Sequence, residues 1–296
     1  AVTSTGVDGE RIDHVTNTAK PEICLEKGMY FTTAASYYLN KRFTAEICQV
    51  EEFQTVLGKM VTARALERGK MILAGPSDTG SLQEWVRKMP ERFPVDVCLV
   101  DGAISRLSPA SPVVTGSMVL ATGAAYSHDM KALAERTRYV YDTICLPAAP
   151  LDIVHKLAHV TNGIRAITPG GEVTNPDVGQ ALLPEQIRQV IEKCGNRLYV
   201  PGVVSNLLLK ALGEKKDVSS IELYIRDFSR IFAEPRVYYT FLRKGGRIFQ
   251  LFTTHLLAVC VNPVSPEGYR FHSEDLVDRI QQAIGVPVYD IKKIET

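Results

Sequence analysis

Four stretches of the chain combine residue types that could do chemistry. Ala74-Gly-Pro-Ser-Asp-Thr-Gly-Ser81 joins an apolar run to an amphipathic one. Backbone N–H groups at a helix start attract anions, and small residues let a phosphate come close. Ser77, Thr79 and Ser81 add hydroxyl donors. The stretch is not G-x-x-x-x-G-K-[ST], because it has no Lys and carries Pro76; a tight turn with a Ser or Thr helix cap explains it as well. Val97-Cys-Leu-Val-Asp-Gly102 places an acid after four apolar residues, the pattern of a strand whose Asp101 faces Mg²⁺ at the carboxyl edge of a sheet. Many α/β strands also end in plain Asp-Gly turns. Arg106, Ser108 and Ser111 follow on a Ser/Pro loop leaving the same edge, where phosphate contacts or solvated turns are the two readings.

The third stretch, Thr3 to Glu10, supplies hydroxyls, two glycines and the acids Asp8 and Glu10. It suits a mobile loop near metal or phosphate, or a frayed polar terminus. The fourth, Val261 to Phe271, leaves an apolar run with Asn262, two prolines and two aromatics. Such a loop either closes over a planar ligand, with Asn262 reading a base edge, or packs on the surface. Other candidates carry less. His155 and His159 stand four apart on an expected helix face, without the Glu of H-E-x-x-H. Tyr238, Tyr239 and Phe241, followed by Arg243 and Lys244, read as a strand edge rather than a base-stacking patch, since the chain has no excess of positive charge. Neither a G-x-S-x-G elbow nor a G-x-G-x-x-G turn occurs.

The elements that must position these residues alternate as strand and helix, which predicts an α/β protein with a mainly parallel sheet flanked by helices. Strands are expected at 70–74, 95–100, 118–121, 198–200, 256–261 and 286–291. Helices are expected at 82–89, 128–138, 184–194 and 206–212, the last capped by Ser205 and stopped by Gly213, and after Ser273. The run Val97–Val100 reads as a strand covered on both faces. Strands ending near Ala74, Val100 and Val261 are expected in one sheet with their carboxyl ends on a common edge. The Pro/Gly/Thr/Asn-rich segment from Thr168 to Asp177 is the expected boundary between an N-terminal nucleotide-binding-like half, 1–168, and a C-terminal α/β half, 178–296, that completes the same sheet.

Lys and Arg number 34 against 33 Asp and Glu, a net charge of +1. That balance gives no global field for nucleic acid or an anionic membrane, so neither partner is expected. No apolar stretch is long enough to span a bilayer and no signal peptide opens the chain. Six cysteines without C-x-x-C spacing suit reduced thiols and a cytoplasmic protein without structural zinc. Cys98 and Cys260, inside apolar runs, read as buried. Ala1 follows a removed initiator Met, or the chain is clipped.

Three groups of residues together resemble a known family: Gly6-Val-Asp-Gly-Glu10 through Asp13 to Pro21; Ala74-Gly-Pro-Ser77 with Val100 to Arg106 and Ala110-Ser-Pro112; and Val261-Asn-Pro263 with Ser265 to Tyr269. The chain is similar over its length to KamB-like proteins, a subunit of the lysine 5,6-aminomutase reactivating factor. The resemblance implies a P-loop-NTPase-related fold. It also implies a nucleotide-linked, chaperone-like role beside a partner ATPase subunit and a cobalamin- and pyridoxal-phosphate-dependent aminomutase of lysine fermentation. ATP or GTP with Mg²⁺ is the implied ligand. Asp101 would face the metal, Asp8 would lie in a switch-like loop, and Ser77 and Arg106 would contact phosphate or support those carboxylates. Members of the family begin with a strand and a G-K-T phosphate loop; this sequence opens on residues like those that follow it. A chain so constituted is expected to bind nucleotide poorly and not to turn it over alone. The rival readings are a small-molecule kinase or ligase using the same edge, and an interaction subunit whose nucleotide site has decayed. A homo-oligomer is compatible with all three.

Overall fold

A computed structural model describes residues 1–9, 22–76, 78–102, 114, 116–176, 186, 189, 192–193 and 195–294. The chain forms two compact units, Ala1–Thr115 and Gly116–Thr296. The segment 168–177 lies inside the second unit, and the residues on either side of its turn pair as a hairpin, described below.

In the first unit β1 (Val2–Ser4), β2 (Val7–Asp8), β3 (Ile23–Leu25) and β4 (Tyr30–Ala34) precede a short helix, α1 (Ala35–Leu39). A long hairpin follows, β5 (Ala45–Thr55) and β6 (Gly58–Ala65), turned at Gly58 with φ 99°, a backbone state that Gly enters without a Cβ clash. Then come β7 (Gly69–Met71), β8 (Leu73–Ala74), α2 (Thr79–Arg92) and β9 (Leu99–Asp101). The main sheet has the order β5-β6-β4-β1-β9. β1 runs parallel to both neighbours, Val2 opposite Phe31 and Ser4 opposite Asp101. β2 pairs antiparallel with β8, and β3 with β7. α2 buries Leu82, Trp85 and Met89, one face of a helix at three- and four-residue spacing.

The second unit begins with β10 (Ser117–Gly123), α3 (Met130–Ile144) and α4 (Leu151–Leu157). It continues through β11 (Arg165–Ile167), β12 (Val173–Thr174), β13 (Arg197–Val200), α5 (Asn206–Leu212) and β14 (Glu222–Ile225). It ends with α6 (Pro235–Arg243), β15 (Arg247–Gln250), β16 (His255–Asn262), α7 (Ser273–Gln281) and β17 (Val288–Asp290). Two sheets result, β12-β11-β13-β14-β15 and the wholly parallel β10-β16-β17. β13, β14 and β15 are parallel, while the β11–β12 hairpin joins antiparallel. The core packs Leu198, Val200, Leu223, Ile225 and Ile248 against Leu208, Leu209 and Phe241 of the helices.

The fold is mixed α/β with parallel pairing in three sheets, but the sequence expectations need several corrections. The strands ending near Ala74, Val100 and Val261 lie in three different sheets, and β8 is antiparallel to its partner. The expected strand 70–74 is divided, its halves pairing with β3 and β2 in turn. β9 is an edge strand with Leu99 61% exposed, so an unbroken apolar run did not mean cover on both faces. Tyr238, Tyr239 and Phe241 lie on α6, opened by Pro235 at its first position. Tyr238 and Phe241, three apart, are its buried face. α4 ends at Leu157, so His155 and His159 do not share a helix. Cys98 and Cys260 are half-buried rather than buried. Most of the expected helix 184–194 lies outside the described residues. No described helix is long and apolar enough to cross a membrane.

Candidate functional site

β1 is the strand at which the main sheet of the first unit changes direction. The chain passes from β1 to β4 on one side, and later returns to place β9 on the other. In open α/β sheets, ligands bind beyond the carboxyl ends of the strands flanking such a switch. Here those ends are Ser4-Thr5-Gly6 and Asp101-Gly102, tied by the Thr5 amide donating to the Asp101 carbonyl at 2.9 Å. Asp101 is exposed at this edge.

The strand feeding the edge is built from hydroxyls. Thr3 Oγ1 donates to the Thr32 carbonyl at 2.9 Å, and Ser4 Oγ to the Leu73 and Gly6 carbonyls. Thr33 Oγ1 accepts from the Ala74 amide at 2.9 Å. Thr5 Oγ1 is different: it is buried without a hydrogen-bond partner, and the residue is 5% exposed. It stands 3.0 Å from where a side chain on Gly102 would begin. A buried hydroxyl left unpaired costs about 1–3 kcal/mol, so an orphan at a strand end marks a place where a ligand atom or ordered water belongs; Thr5 Oγ1 faces Gly102, whereas the Asp101 side chain shares the face of its partner Ser4. The triplet Thr3-Ser4-Thr5 before Gly6 was the available signal, and only its end residue is free to bind.

The 75–81 turn starts against this edge. The Gly75 amide donates to the Gly6 carbonyl at 3.1 Å. A Cβ on Gly75 would lie 2.0 Å from the Ser4 carbonyl oxygen, so only Gly fits this approach. Asp78 caps α2, its carboxylate accepting from the Ser81 amide at 2.9 Å. Hydrogen bonds from Ser81, hydroxyl first and amide second, hold that carboxyl below the usual aspartate range. The helix start that suited a phosphate is thus served by the chain's own anion, with Thr79 and Ser81 in the first turn. Ser77 and Arg106 lie outside the described residues.

The remaining candidates are placed elsewhere. Asp8 sits on β2, its backbone paired with Leu73. Asn262 ends β16 in the second unit, where its side-chain oxygen accepts from the Val264 amide at 3.1 Å. The loop beyond it is pinned by the Tyr269 hydroxyl donating to the Ala124 carbonyl and by edge-to-face packing of Tyr269 on Phe271, which is the packed-surface alternative.

The fit to Mg²⁺ and a nucleotide divides in two. Among the described residues no group of three or more His, Cys, Asp or Glu forms a ready metal cage. Mg²⁺, however, commonly takes one or two carboxylates and completes its shell with water and ligand phosphates. Asp101, exposed at the strand end, offers one such carboxylate. The phosphate half fits poorly: neither Val2–Gly9 nor Ala74–Ser81 contains a Lys or Arg, and Asp78 stands at the helix start. Comparisons with family models, with curated proteins and with solved structures give no match to this chain.

Proposed function

We propose that the first unit is a P-loop-NTPase-related module carrying a divalent-cation site at the β1/β9 edge, and that the protein acts as an accessory subunit rather than as an autonomous enzyme. The observation that carries this reading is the exposed Asp101 at the strand-order switch, followed by Gly102, which the buried, unpartnered Thr5 hydroxyl faces. Asp101 would hold Mg²⁺ that arrives with the phosphates of ATP or GTP. The metal, when bound, neutralises phosphate charge. The chain's own part is to orient that ion at the end of a rigid strand pair and to keep the Thr5 oxygen out of bulk water.

What is missing from the arrangement sets its limits. Phosphoryl transfer needs positive charge on the leaving phosphates; Val2–Gly9 and Ala74–Ser81 contain no Lys or Arg, which leaves Arg106 after Gly102 as the cation nearest in sequence to Asp101. Asp78 opposes an anion at α2. A nucleotide-linked partner that provides the clamp suits such a half-site. This agrees with the resemblance to the KamB-like subunit of an aminomutase reactivating factor, in which a partner ATPase subunit and a cobalamin- and pyridoxal-phosphate-dependent aminomutase are the implied companions.

Calorimetric titration with Mg²⁺ and ATP or GTP, alongside a phosphate-release assay, tests the reading. Weak, Mg²⁺-dependent binding is expected, lost in Asp101→Asn, with no turnover by the chain alone. Thr5→Val should leave folding stability unchanged or slightly raised, because an unpaired hydroxyl is exchanged for a methyl of similar shape. Turnover abolished by Asp101→Asn would replace the accessory role with a kinase- or ligase-type enzyme. Absence of any cation or nucleotide binding would leave an interaction subunit with a decayed site.

A further inference from the structure

In the second unit, α3, α6 and α7 line a groove of about 850 Å³. Its α3 side includes Lys131, Glu135, Arg138 and Asp142, spaced four, three and four apart and therefore on one helix face. That stripe runs for roughly 16 Å at 1.5 Å per residue, so the groove is elongated. Five of the lining side chains are Lys or Arg and two are acidic.

Both acids are already engaged. Asp142 accepts from Arg138 Nε at 2.8 Å and from the Tyr239 hydroxyl at 2.8 Å, and Glu135 lies 4.0 Å from Lys131. Burial, reinforced by the Asp142 hydrogen bond, pushes the Tyr239 phenol well above its ordinary range, so it adds no negative charge. Three guanidinium groups remain without a carboxylate. Arg136 donates only to the neutral Tyr126 hydroxyl at 3.2 Å. Arg236 and Arg279, both exposed, have no ion-pair partner among the described residues. Ala132, Ala134, Pro235 and Ala283 also line the groove and offer apolar surface to aliphatic side chains.

From this charge balance and shape we propose that the groove is a docking site for an acidic, amphipathic segment of a partner protein, laid along α3 between α6 and α7. The three unneutralised arginines come one from each helix. Carried by three separate helices around a groove of about 850 Å³, they suit carboxylates spaced on a peptide better than one compact phosphate. The apolar surface gives such a segment the buried anchors that carry most interface energy. This site is separate from the cation site of the first unit, and each stands or falls on its own measurement.

Fluorescence anisotropy with a labelled helical peptide of about twelve residues, Glu on one face and Leu on the other, provides the test on the full chain. Saturable binding that weakens with added salt is expected, with affinity reduced about tenfold in Arg236→Gln/Arg279→Gln. Both side chains are exposed, so an unchanged circular dichroism spectrum should certify the variant; Arg136→Gln serves as a second, independent reduction. Unchanged affinity in both variants overturns the proposal. So does failure of the peptide to bind where tripolyphosphate or single-stranded RNA binds at the same arginines.

Discussion

β1 with the Thr5 that follows it, and β4, bury Thr3, Ser4, Thr5, Thr32 and Thr33 in the first unit, whereas β13 and β14 of the second bury Leu198, Tyr199, Val200, Leu223, Tyr224 and Ile225. The apolar strands draw on non-directional burial, which depends on volume and tolerates small shifts. The hydroxyl strands depend on direction. Trp85 Nε1 on α2 donates to Thr32 Oγ1 at 2.7 Å; Thr32 and Thr62 hydroxyls are 2.6 Å apart; Thr62 Oγ1 in turn donates to Glu51. With the indole as a pure donor and the carboxylate as a pure acceptor, the relay has one sense throughout. Burying such groups gains little net energy compared with burying leucine, but it fixes how α2 sits on the sheet and where β1 ends. A strand end whose position must be defined gains from the second kind of core.

The contrast makes unequal demands on substitution. Leu223→Ala, at a fully buried site in the apolar sheet, should cost about 3–4 kcal/mol through lost burial and a cavity, read as a lowered midpoint in urea by far-UV circular dichroism. Thr32→Val keeps the shape but leaves the Trp85 N–H unpaired and takes from Thr62 its donor, an expected loss of about 2 kcal/mol. Trp85 is the only tryptophan of the chain, so its emission follows the first unit directly. No loss on Thr32→Val would mean the relay contributes nothing, and the two cores would not differ in kind.

The smallest effect concerns the charged rim of the apolar sheet. Glu222 joins Arg197 at 2.6 Å, Arg247 at 2.9 Å and the Tyr224 hydroxyl at 2.8 Å. Burial alone would raise its pKa; hydrogen bonds from Tyr224 and Arg197 outweigh that and hold it below 4.5. A depressed folded-state pKa gives stability that is present above the unfolded value and lost as pH falls through the folded one. Glu222→Gln should therefore cost about 1 kcal/mol at neutral pH, and the difference from the unaltered protein should shrink on acidification below pH 4.5. A difference that stays constant through that range would assign the effect to packing.

Local signals were the legible ones. Ser205 caps α5 and Gly213 ends it, as the residue types require, and the strand expected at 256–261 is β16 with one residue added at each end. Both depend on neighbours in the chain. Sheet membership depends on partners far away: Val97–Val100 has the composition of a central strand, yet β9 ends the sheet. The β5–β6 hairpin went unplaced although its burial alternates through β5, because charged residues such as Glu51 and Glu52 interrupt the apolar pattern. The strand end at Asp101 was readable from four apolar residues followed by an acid. Thr5 was not, since its distinction from Thr3 and Ser4 is an absent hydrogen bond, which no residue type announces. The role of Asp78 as the cap in place of a Ser or Thr was likewise a choice among adjacent candidates.

Ser4 and its partner Asp101 are about a hundred positions apart, which sets an order of events during synthesis. At ordinary elongation rates β1 waits roughly 5–20 s before β9 has even been made. A waiting strand with open backbone groups is a hazard when its side chains are apolar, since it can pair with other chains. Val2-Thr-Ser-Thr5 is mostly hydroxyl-bearing and stays solvated in the interval. The composition that makes the first unit's sheet directional thus also lets the β9-facing side of β1 stay open safely, and the end of the β1–β9 pair is among the last features of that unit to exist.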